Sequence, residues 1–97
     1  MNTEFMWFQK CLTDDRYNPG ARPVPADNEQ KAKRIVKQIA IDGPASTIIV
    51  LFVHEGDKSP RAICGWRKGA SDTIRPLQQK DADDYLEKFT AARWWDN

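Results

Sequence analysis

Nucleophilic catalysis needs a nucleophile, a base and an orienting group in contact. The chain offers one histidine, His54, and two cysteines, Cys11 and Cys64. His54 closes a long apolar run beside Glu55, so a His–Cys pair across adjacent strands is conceivable. The ordinary fate of such residues is a strand-end histidine and two reduced thiols that pack as small hydrophobes. Neither cysteine lies in a C-x-x-C motif or near the histidine, so metal-ligand spacing is missing. The acid pairs Asp14–Asp15 and Asp83–Asp84 are adjacent in sequence, and adjacent carboxylates diverge on a helix or strand. Asp14–Asp15 could meet a hard cation, but the spacing follows no cation-loop pattern. The five glycines are scattered among turns and strand ends rather than gathered into a phosphate loop. The chain therefore reads as non-enzymatic, with no catalytic residue, no cofactor and no metal.

Residues suited to binding are better represented. There are four tryptophans, and Trp, Tyr and Arg concentrate in the energetic centres of protein interfaces. A core of this size rarely needs four indoles. Trp94 and Trp95, preceded by Arg93 in "AARWWDN", are the first candidates for protein contact, with Trp7 and Trp66 beside them. Neighbours on a helix point about 100° apart, so Trp95 continues an inward stripe and Trp94 projects outward.

A second set suits nucleic acid. "GWRKG" joins Trp66 to Arg67 and Lys68, Arg61 and Arg75 belong to the same hairpin region, and Lys33 and Lys37 on a helix extend the field. Bases track phosphates and an exposed aromatic can stack on a base. The net charge of only +1 argues against a strong overall field toward nucleic acid or an anionic membrane. Charge is segregated instead. Residues 31–42 carry Lys31, Lys33, Arg34 and Lys37 against Asp42, whereas 80–87 carry Asp81, Asp83, Asp84 and Glu87 against Lys80.

These residues are positioned by a short series of elements. "EFMWFQKCL" (4–12) alternates as a strand, with Phe5, Trp7 and Cys11 on one face and Met6, Phe8 and Leu12 on the other. A long Pro-rich loop, 13–26, follows, with a turn signal at Asn18-Pro19-Gly20. Asp27 is the expected N-cap of a helix, with Gln30 in capping-box spacing. Ala32, Ile35, Val36 and Ile39 form its inward stripe, and Gly43-Pro44 ends it. "STIIVLFVH" (46–54) is a central strand buried on both faces or nearly so. "RAICGWR" (61–67) returns as a hairpin, and "TIRPL" adds a short edge strand limited by Pro76. A helix from about Asp81 to Trp94 completes the order, its early acids matched to the positive end of the helix dipole.

The 97 residues suit one domain, 1–97. The expected fold is α+β, a two-layer sandwich of order β-α-β-β-(β)-α. A right-handed β-α-β crossover would make the first two strands parallel, giving a small mixed sheet with both helices on one face. Its open face would show Trp7 or Trp66. This order, with the acidic "DADDYLEKF…WW" at its end, is similar to that of small RecA-regulating, DNA-damage-inducible proteins. The likeness is one of topology and carries over no residue role.

The opening "MNTEFMWFQK" lacks a basic segment leading into an apolar run, and "IIVLFV" is too short to span a bilayer. A cytoplasmic protein with no membrane partner is expected. The expected function is that of a regulator, inhibitor or adaptor acting by protein–protein contact, on the scale of those encoded by bacteria or phages. A homodimer through the same surface is its simplest version. Nucleic-acid binding through the basic hairpin is the alternative.

Overall fold

The computed structural model describes residues 3–13 and 21–91. The elements are β1 (Thr3–Cys11), β2 (Arg22–Pro23), α1 (Glu29–Asp42), β3 (Thr47–Glu55), β4 (Arg61–Lys68), β5 (Ile74–Pro76) and α2 (Gln79–Ala91). The strands form one sheet in the order β2-β1-β3-β4-β5. The α+β class and the two sheet-packed helices are as expected.

Two finer expectations are corrected. Every strand pair is antiparallel, so the sheet is not mixed. β1 runs against β3 from Thr3↔Glu55 to Cys11↔Thr47. The reason lies in the Pro-rich loop, whose "ARPVP" contains β2. This two-residue strand pairs with Met6 and Trp7 of β1 and reverses the chain before α1 begins. The β-α-β crossover is therefore β2-α1-β3, whose two strands run the same way on either side of β1.

The second correction concerns the helices, which lie on opposite faces of the sheet. Ile48, Val50 and Phe52 of β3 pack with Phe8, Ala82, Leu86 and Phe89 under α2. Ile49, Leu51 and Val53 pack with Val24, Ala32, Val36 and Ala40 under α1. Side chains alternate along a strand, so a run such as Ile48–Val53 is dry on both sides only if both sides are covered. All six of those residues are buried.

Local signals place each helix. Asn28, not Asp27, is the N-cap of α1, its Oδ1 accepting from the Lys31 backbone N–H at 2.8 Å. α2 begins at Gln79, whose side-chain amide donates to the Ala62 carbonyl at 3.0 Å and ties the first turn to β4. Phe89 stacks on Phe8 with centroids 4.2 Å apart, both rings fully buried. In β4 the register shifts opposite Leu51/Phe52, and both Ile63 and Cys64 join the α1 side. Gly65 follows because the backbones are close there. A Cβ would lie 2.7 Å from both the Ile49 carbonyl oxygen and Leu77 Cδ1.

Candidate functional site

The sheet face beneath α1 gathers two of the candidate tryptophans. Trp7 on β1 stands opposite Leu51, and Trp66 on β4 stands opposite Ile49. Both are half-buried and pack against the α1-side cluster together with Phe5, Ile35 and Ile39. The two indoles thus flank β3 on the side that α1 covers, rather than lying on an open sheet face.

α1 covers this face and turns its polar side outward. Lys31, Lys33, Arg34 and Lys37 are exposed, against Glu29 and Asp42. Ile41, at 42 % exposure, is the one exposed large hydrophobic residue among those described. On the opposite face, α2 exposes Asp81, Asp83, Asp84 and Glu87 against Lys80 and Lys88, with an Asp84–Lys88 ion pair at 3.2 Å. The segregation of charge along the chain becomes segregation between two faces.

The five bases expected to serve nucleic acid are not brought together. Trp66 and Arg67, adjacent on β4, point to opposite faces: Trp66 packs on the α1 side, while Arg67 lies opposite Ile48 on the α2 side. Arg61 sits at the far end of β4, 3.8 Å from Glu55. Lys33 and Lys37 belong to the α1 face.

Lys68 is buried, at 8 % exposure. Its Nζ donates to the carbonyls of Ile41 and Gly43, each at 2.6 Å. A cation on the last carbonyls of a helix satisfies acceptors left over there and suits the negative end of the dipole. Lys68 therefore fastens β4 to the end of α1 and does not contribute to an exposed basic surface. Its position one residue after an exposed arginine gave no sequence signal for this role.

His54 and the cysteines are likewise separated. His54 shares the parity of Phe52 and stands opposite Glu4. Cys64 packs on the α1 side. Cys11 lies at the other end of β1, opposite Thr47. The Cys64 thiol is pushed up from its ordinary value of 9.0 to about 11, chiefly by burial, with Lys33 lowering it and Glu29 raising it. It is a packed thiol and a poor nucleophile near neutral pH. Among the described residues, no three His, Cys, Asp or Glu side chains are grouped to hold a metal ion.

Arg93, Trp94, Trp95 and the Asp14–Asp15 pair lie outside the described residues. No described helix is long and apolar enough to cross a membrane. No family model matches the chain, and the comparisons with curated proteins and with solved structures found no match.

Proposed function

We propose that the protein is a small non-enzymatic regulator, inhibitor or adaptor that binds another protein through its α1 face. The observation that carries this reading is the pair Trp7 and Trp66, half-buried on the sheet face covered by a helix that exposes four bases. Large, fairly rigid indoles near an arginine are the composition of interface centres, and lysines around them act at the rim, where they steer encounter. The complementary partner has an acidic surface with an apolar centre, since opposite potentials steer encounter and fix orientation.

A symmetric homodimer through this face is a less favourable version. It would bring two copies of the same basic helix together. The cytoplasm, where a reduced Cys64 persists, is the compartment that fits this role. The test is affinity capture of host proteins on the immobilised full chain, with and without nuclease. The expected result is a discrete protein partner retained after nuclease treatment and eluted by raised salt. Loss of all capture on nuclease treatment would replace this reading with nucleic-acid binding.

A further inference from the structure

On the other face of the sheet, β4 and β5 place two arginines side by side. Arg67 and Arg75 are directly opposed, so their Cβ atoms lie about 4.5–5.5 Å apart. Like charges in that position repel. Both are exposed, and among the described residues no carboxylate lies within ion-pair distance of either. The nearby acid, Asp72, is turned toward Lys68 at 3.8 Å.

The ladder continues from this pair into the connecting turn. The Gly69 N–H donates to the Thr73 carbonyl at 3.0 Å. That places Gly69 and Thr73 two residues along, on the same face as the arginines. The Ser71 and Thr73 hydroxyls are 3.2 Å apart. Gly69 leaves the space opposite Thr73 empty: a Cβ there would touch only the Thr73 carbonyl oxygen, at 4.0 Å. The result is a cleft of about 370 Å³ lined by Arg67, Gly69, Ser71, Thr73 and Arg75.

We propose that this cleft is an oxyanion site that binds the phosphate group of a small phosphomonoester. Two guanidinium forks and two hydroxyls present more donors than a carboxylate's two oxygens can engage. A tetrahedral oxyanion can accept from both forks and still reach a hydroxyl. The bound anion also removes the repulsion between the arginines. The volume exceeds that of a lone phosphate and leaves room for the group it esterifies. The site lies on the face opposite α1, so it stands or falls independently of the protein-binding surface.

The test is NMR titration of the Arg Nε–Hε resonances and the Gly69–Arg75 amides at constant ionic strength. The probes are inorganic phosphate, adenosine monophosphate and adenosine. The expected result is saturable shifts of Arg67 and Arg75 with both phosphates and none with adenosine. Tighter binding of the monophosphate than of phosphate supports the proposal, and equal or weaker binding of the monophosphate would overturn its assignment to esters. R67Q and R75Q should each weaken binding roughly tenfold or more, G69L should block the cleft sterically, and K58Q in the β3–β4 turn should leave affinity within about twofold. Linear, unsaturable shifts in the wild-type chain would overturn the proposal. So would an equal response to adenosine, or unchanged binding by folded R67Q and R75Q.

Discussion

The side chains of β4 show how little sequence neighbourhood says about role. "WRK" (66–68) reads as one basic aromatic patch, yet its three members go to three places. Trp66 packs beneath α1, Arg67 lines a cleft on the far face, and Lys68 is buried against helix carbonyls. Alternation along a strand was enough to separate the first two. The third was hidden because a buried lysine and a solvated one are the same letter, and only the position of the α1 terminus distinguishes them. Lys68→Met should destabilise the fold by about 1–3 kcal/mol in urea unfolding, because it leaves those carbonyls without their charged donor. Arg67→Met should change stability far less. Cys64 gives a pH prediction. Its folded pKa of about 11 lies above the ordinary 9.0, so from pH 9 to 11 the unfolded chain holds fewer protons at this thiol. Its contribution to stability is complete below pH 9 and falls across that window. Alkylation of the native chain by iodoacetamide at pH 8 should be slow at Cys64, with fast modification only in denaturant. Rapid native labelling there would contradict the packed-thiol assignment.

At the level of elements, periodicity was a good guide and connectivity was not. Both helices, the three long strands and the Pro76-limited edge strand were legible in the sequence. So were the two faces of β1, because Phe5 and Trp7 alternate with Met6 and Phe8. β2 was not legible, since two residues carry no period and Pro23 argues against a strand. Missing it turned the whole topology from antiparallel to mixed. The opposed helices were latent in "IIVLFV": a strand dry on both faces calls for cover on both, and that inference outweighs any preference for a two-layer sandwich. On the α2 side Phe89 stacks on Phe8 and meets Phe52 with centroids 6.2 Å apart, so Phe89→Ala should cost roughly 3–5 kcal/mol. Asn28→Ala at the α1 cap should cost about 1 kcal/mol. Chemical denaturation of both variants checks the order. An Asn28 variant more damaging than the Phe89 variant would mean that α2 packs less tightly than its geometry indicates.

For the whole molecule, a net charge of +1 conceals a division. The basic helix and the acidic helix lie on opposite sides of one five-stranded sheet, so each side presents its own potential at short range. Screening at physiological salt acts over about 8 Å, which keeps the two fields largely separate across the sheet's thickness. The candidate protein site was only partly legible in the sequence: Trp7 and Trp66 read as protein contacts, whereas Lys33 and Lys37 read as part of the nucleic-acid alternative, and their gathering on one face depended on the helix placement. We propose that the α1 face binds the partner and the α2 face does not. The most direct test is to measure the affinity of the captured partner for two charge-reversed chains, K33E/K37E on α1 and D83K/D84K on α2. All four positions are exposed, so both chains should fold. The expected result is a loss of tenfold or more for the α1 variant, on the order of 1.4 kcal/mol, with the α2 variant within about twofold of wild type. Full affinity in the α1 variant, or an equal loss in both, would contradict the assignment of the binding face.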